Sequence, residues 1–403
     1  MTDRSRREVL GALGAAGLAG VAGCASDGSS DDDSSESVGS CPPYDPTVSP
    51  TAGWTTRLGG RRGTSTVPAN AMPGPEPSRD WTFEFDTAIG YHTPIVVDGT
   101  VYVSDLDTTM WALDAASGEV RWETSVPEYP GAPAVADGTL VYFADQDVRA
   151  LDAASGETLW TALETGGRLL DARPVIADGT AYVQVGIATY ALDLTTGETE
   201  WRDATGLPSE VTPAVADGTV FSGGDDTYVR ALSTADGSQR WRYKAGDRIE
   251  ANVCVAGGRV FAGSRDGIVH ALSAADGSRQ WSYRLPKDEG DRPEPETVTS
   301  DGSRVYVLAG GKLHTLAAAD GTVCWSRPDL SGSYNTGLAV GDGRLYVPTD
   351  RRETQFATLD PATGERLGTW GSPTRTSRAA RQSPTALRTS AGEPASRGSV
   401  ERR

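Results

Sequence analysis

The chain has 403 residues, of which 55 are Asp or Glu and 37 are Lys or Arg, for a formal net charge of −18. Nucleic acid is excluded as a partner at this level, because neutralising phosphates takes Lys and Arg clustered on one face. Length alone suggests two or three domains, but an internal repeat takes precedence over that count, and the chain has one.

Residues 1–24 read as a targeting signal: Ser5-Arg6-Arg7-Glu8-Val9-Leu10 leads into an apolar run, Val9 to Ala22, rich in Gly, Ala and Leu. The paired Arg6 and Arg7 resemble a twin-arginine export signal, a route that carries folded cargo. The run is too short and too weakly apolar to span a bilayer, which takes about 20 strongly apolar residues. It ends in Val21-Ala22-Gly23-Cys24, similar to a lipobox. Cys24 is therefore expected to become the lipidated first residue of the mature protein, anchored to the outer face of the cytoplasmic membrane. Residues 25–52 carry Asp31-Asp32-Asp33 and many serines, cannot bury a core, and are expected to form a solvated tether.

Lysine occurs only at Lys244, Lys287 and Lys312, arginine supplying the other cations. This balance resembles haloarchaeal proteins: at molar salt the Debye length falls to about 3 Å, so a dense acidic surface scarcely repels itself. An acidic mesophile protein from a GC-rich genome has the same composition.

Residues 53–370 are expected to form one β-propeller. The stretch with Trp54, Gly59-Gly60 and Pro73-Gly74-Pro75 is a preamble, and Trp81 ends an orphan outer strand. From there a unit recurs, clearest as Asp98-Gly99-Thr100-Val101-Tyr102-Val103 followed by Trp111-Ala112-Leu113-Asp114-Ala115-Ala116-Ser117-Gly118-Glu119-Val120-Arg121-Trp122. The turn glycines Gly118, Gly156, Gly197, Gly237, Gly277, Gly321 and Gly364 are spaced 38, 41, 40, 40, 44 and 43 residues apart. Four short β-branched or aromatic segments per period of about 40 residues indicate propeller blades and exclude a helical solenoid. Seven full repeats are visible, leaving a seven- or an eight-bladed ring. Residues 371–403, rich in Arg, Ser, Thr and Ala, show no strand pattern and are expected to be a disordered tail.

The sub-motif Ala-x-Asp-x-x-Ser/Thr-Gly-x-x-x-Trp resembles the tryptophan-docking motif of pyrroloquinoline-quinone (PQQ) repeat propellers. It is complete at Ala112, Asp114, Ser117, Gly118 and Trp122; at Ala150, Asp152, Ser155, Gly156 and Trp160; and at Ala191, Asp193, Thr196, Gly197 and Trp201. Ser replaces the Asp in the copies ending at Trp241 and Trp281, Gly321 with Trp325 departs further, and in the seventh Trp370 falls two residues late. Gly permits the tight turn, Asp or Ser bonds its backbone, and the Trp packs on the next blade. No repeat carries a Trp-Asp dipeptide, which sets the WD family aside.

The resemblance implies either a binding scaffold, similar in architecture to an outer-membrane assembly lipoprotein with this repeat, or a quinoprotein dehydrogenase. The dehydrogenase would need PQQ, calcium held by Glu, Asn and Asp, an Asp base and a disulfide between adjacent cysteines. Adjacent cysteines and a Cys-x-x-Cys-His haem motif are both missing, so the expectation is no catalytic residue, no cofactor and no metal. The partners expected are the membrane, through Cys24, and an exported or membrane protein. A sensor or solute-binding module is the remaining alternative.

Cys41, Cys254 and Cys324 allow one disulfide. Cys254 shares its column with Ile95 and Ala134 and reads as buried; Cys324 shares its column with Arg121, Glu200 and Arg240 and reads as exposed. His270 and His314 share a column with Trp111, Arg149, Tyr190 and Arg230, a mixture expected of a blade surface, and His92 is placed near the axis. The candidate binding rim is the set of acids at the hairpins joining second and third strands: Asp105, Asp107, Asp145, Asp147, Asp225, Asp226 and Asp266. Asp is also what tight hairpins prefer, so the same residues have a purely local reading.

Overall fold

The structure, a computed structural model, describes residues 41–46 and 80–85, and the chain from 94 to 371 apart from 106–107, 128–129, 145–146, 164–172, 205–210, 288–292, 329, 331–337, 342 and 349–354. The signal, Cys24, Arg6, Arg7, His92, Asp107, Asp145 and the 372–403 tail lie outside the described residues.

The described residues form seven antiparallel four-stranded sheets, each meandering in sequence order. They span 95–125, 134–162, 175–204, 214–244, 254–284, 295–327 and 339–371, and are blades one to seven. Blade one is typical: β1 Ile95–Val97, β2 Thr100–Ser104, β3 Thr109–Asp114 and β4 Val120–Ser125. Its first turn is Asp98-Gly99 with φ of 46° and 72°. Two successive left-handed residues are what a two-residue turn needs to match strand twist, hence Asp-Gly.

First strands pack side by side from blade one through blade six. The core is divided among the junctions between blades. One cluster joins Ile95, Met110 and Trp122 of blade one to Val135, Leu140 and Tyr142 of blade two, and equivalent clusters fill the next five junctions. A second strand thus has an apolar neighbour on both sides, and Thr139–Ala144 is buried along its whole length.

Tryptophan docking crosses every one of these junctions. Trp122 lies on Gly156, Trp160 on Gly197, Trp201 on Gly237, Trp241 on Gly277, Trp281 on Gly321 and Trp325 on Gly364. Each indole Nε1 also donates to a carbonyl of the next blade's turn, as Trp122 does to Ala153 O at 3.0 Å and Trp201 to Thr234 O at 2.8 Å. At Gly156 the φ of +74° suits glycine, and an added Cβ would sit 2.7 Å from the Trp122 ring. The copies lacking the motif Asp dock equally well, because their turn uses another acid: Asp236 Oδ1 accepts from Ser238 N at 3.1 Å and Asp320 Oδ1 from Thr322 N at 2.9 Å.

Residues 80–85 are not a strand, contrary to the expectation for Trp81, yet Trp81 fills the socket at Gly118 and donates to Ala115 O at 3.0 Å. In blade seven Gly368 faces Thr358, the register at which other blades place the docking Trp, so Trp370 is two residues late in space as well as in sequence.

Two further expectations are corrected. Cys324 is not an exposed residue: it is half-buried beneath a disulfide to Cys41, while Cys254 is the free, fully buried thiol, which burial pushes up to about 12. The tether reading of 25–52 also fails at its far end. Residues 41–46 are a strap on blade six, with Tyr44 donating to Asp301 Oδ2 at 2.9 Å and Arg304 donating to Pro42 O at 2.7 Å.

Candidate functional site

An antiparallel meander puts the turns between strands one and two, and between three and four, at one end of a blade, and the hairpins between two and three at the other. The acids of the candidate rim therefore share an end, but their chemistry is mostly local. Asp105 is only 6% exposed, and its Oδ1 accepts the backbone N–H groups of Thr108 and Thr109, both at 2.9 Å. Asp147 pairs with Arg149 at 2.7 Å, Asp226 with Arg230, and Asp266 accepts from the Ser264 hydroxyl. Asp225 is half-buried and is reached by Arg248 at 3.4 Å. The described rim acids are thus hydrogen-bonded or ion-paired, mostly within their own hairpins.

Sequence reasoning missed the partners of this face. Arg265, on the blade-five hairpin, lies 3.1 Å from Glu294 and 3.6 Å from Glu250, which sit on the links after and before that blade. With Arg248 and Asp225 they make a band of alternating charge over blades four to six, exposed at Arg248, Glu250 and Arg265 and half-buried at Asp225 and Glu294. Burial raises the pKa of Glu250, opposed by Arg265. Solvated pairs of this kind add little stability, so the band is free to exchange partners. The only sequence signal for it was the change in hairpin composition from blade to blade.

In the column of His270 and His314, where the sequence suggested a blade surface, Arg230, His270 and His314 are buried and Trp111, Arg149 and Tyr190 are half-buried. Second strands are flanked on both sides, and third strands share that enclosure. His270 Nε2 lies 3.2 Å from Ser264 Oγ, and Nδ1 lies 3.4 Å from the Tyr243 hydroxyl. Ser264 in turn donates to Asp266. These are the residue types of a hydrolytic triad in a different order, since the carboxylate holds the serine instead of orienting the histidine. Burial drives the His270 pKa down to about 4, and with Ser264 fully buried no substrate reaches the pair.

Among the described residues no three His, Cys, Asp or Glu side chains are placed to hold a metal. The disulfide joins cysteines 283 residues apart instead of neighbours in the sequence.

The family model described as outer membrane protein assembly factor BamB matches residues 75–212, 186–292 and 291–398. No curated protein sequence matches the chain. Among solved structures the chain is similar to BamB from Moraxella catarrhalis, with a TM-score of 0.62 and 17% identity over 72% of this chain and 89% of that one. It is also similar to the computationally designed Ika8 protein, with a TM-score of 0.59 and 18% identity over 71% and 87%. The quinohemoprotein alcohol dehydrogenase from Comamonas testosteroni follows with a TM-score of 0.59 and 16% identity over 80% and 74%. At these identities the likeness is one of fold.

Proposed function

The chain belongs to the family described as outer membrane protein assembly factor BamB, and on that footing we propose that it is an exported propeller, anchored by lipidated Cys24, that binds an exported or membrane protein at the outer face of the cytoplasmic membrane. The observation that carries this reading is a division of labour within the blade. The residues used repeatedly, the docking Trp, Gly and turn Asp, serve blade packing, whereas the hairpin end varies from blade to blade and carries the charges of Asp225, Arg248, Glu250, Arg265 and Glu294. A rigid frame with variable loops suits recognition of one asymmetric protein surface. The relatives' outer membrane is not carried over, since the composition resembles that of hosts without one.

A PQQ-dependent dehydrogenase is the second reading, favoured by the fold shared with the quinohemoprotein enzyme. Our reading expects no stoichiometric PQQ binding with calcium and no dye reduction with alcohols or sugars. It expects crosslinking to a defined membrane or exported protein that weakens when Arg248 and Arg265 are changed to Ala. Turnover with bound PQQ would overturn it. Cell fractionation tests the anchor: Cys24→Ser should leave the membrane fraction, and Arg6→Lys with Arg7→Lys should stay inside the cell.

A further inference from the structure

The 41–46 strap sits at one end of blade six. Cys41 is bonded to Cys324 at the start of the outer strand Val323–Arg327, directly after the docking turn. Pro42 O accepts from Arg304 at 2.7 Å, the Arg304 guanidinium lies 5.5 Å from the Tyr44 ring centre, and Asp45 N donates to Ser303 Oγ at 3.0 Å. Asp301, Ser303 and Arg304 belong to the turn between the first strand Pro295–Ser300 and the second strand Arg304–Ala309. Both attachments are therefore at the docking-turn end, opposite the hairpins that carry Arg265 and Asp225.

The sequence of blade six is altered to receive this strap. Blades one to four turn on two residues, Asp-Gly, and blade five on Gly257-Gly258, whereas blade six has three, Asp301-Gly302-Ser303. Asp301, 1% exposed, accepts Tyr44 Oη at 2.9 Å, Tyr306 Oη at 2.8 Å and Arg304 N at 2.7 Å. Removing the strap would strip a buried carboxylate of one of these bonds, so attachment is built in.

We propose that the strap fixes where the anchored N-terminus leaves the propeller, so that on a membrane the docking-turn face is turned to the lipid and the hairpin face is presented to the protein partner. This rests on the anchoring of Cys24. From Cys24 to Cys41 is 17 residues, and a tether of the kind their Ser- and Asp-rich sequence is expected to form has a root-mean-square reach of about 23 Å at that length. A six-residue strand spans about 20 Å, so the near face lies within that reach and the far face lies a strand length beyond it. The docking turns carry Asp114, Asp152, Asp193, Asp236, Asp276, Asp320 and Asp360, which oppose direct adsorption to anionic lipid. A stand-off of this size exceeds the Debye length of about 3–10 Å, so the tether orients the face without pressing it against charge.

The test uses the lipidated full-length protein on neutral phosphatidylcholine vesicles with an acceptor dye on the headgroup. A donor dye is placed at exposed Ala275 in the blade-five docking turn or at exposed Arg265 on the opposite hairpin of the same blade. Transfer should be more efficient from 275 than from 265. The difference should be lost when the strap is released by Cys41→Ser, Cys324→Ser and Tyr44→Ala, with circular dichroism showing the blades still folded. Equal transfer from both positions in wild type, a reversed order, or a difference that survives release would overturn the inference while leaving the anchor intact. Lipidated wild type that stays off the vesicles would instead sink the anchoring reading, and this orientation with it.

Discussion

At the scale of single residues, glycine and histidine make opposite demands on their surroundings. Gly156 and Gly138 have nearly the same backbone, φ of +74° and +76°, but only Gly156 lies under a tryptophan, and a Cβ at Gly138 meets nothing within 4 Å. Both Ala variants bear the left-handed cost of about 1–2 kcal/mol. Gly156→Ala adds an overlap worth about 1–3 kcal/mol. Denaturant midpoints should therefore fall clearly further for Gly156→Ala than for Gly138→Ala, and equal midpoints would refute the socket. His270 is held neutral, with Arg279 adding to the effect of burial and Asp266 opposing it. Its folded pKa of about 4 is below the unfolded value near 6.5, so its contribution is complete above pH ~6.5. As pH falls from there towards ~4 the unfolded chain takes up a proton that the native state refuses, and about 3 kcal/mol is lost. Unfolding free energy of His270→Gln should fall less than that of wild type across this window.

At the scale of the strand and turn, a blade is finished by its neighbour. The sheet supplies its own ladder, but the indole on its outer strand finds its carbonyl and its glycine in the next repeat. Trp201→Ala should cost about 3–5 kcal/mol, as for other buried Trp truncations. Trp241→Ala should cost the same despite its Ser-type turn, because it has the same close approach to Gly277 and a bond of 3.0 Å to Ala274 O. Trp81→Ala should cost less, since Trp81 is only half-buried, but should still destabilise. A large gap between Trp201→Ala and Trp241→Ala would mean that the motif Asp matters for docking beyond its own turn.

At the scale of the whole molecule, stability is distributed over junctions between blades, each with its own apolar cluster, and the surface over them is acidic, with a chain charge of −18. Dilution from molar to millimolar salt lengthens the screening distance from about 3 Å to tens of ångströms. The acidic surfaces then repel across the junctions. We expect an all-β circular dichroism spectrum in high salt and a melting temperature that falls steeply as salt is removed. A melting temperature independent of salt would refute the halophilic reading.

The sequence by itself determined the repeat, the four strands of each blade, the turn glycines, the docking tryptophans and the burial of Cys254. All of these recur at a fixed offset, and a contact made seven times leaves a period in the chain. The rim acids were also visible, but their role was not, because Asp105 and Asp226 spend their charge within their own hairpins and composition cannot tell a capped carboxylate from a free one. Only the tertiary structure decided which glycine each indole covers and which carbonyl its Nε1 bonds, that Arg230, His270 and His314 are enclosed, and that Arg265 bridges Glu250 and Glu294. The strap is the extreme case: Cys41 and Cys324 meet across 283 residues, a contact made once, with no periodic echo. Such a pairing is fixed by where the folded blades bring two distant segments together, which no local propensity or spacing encodes.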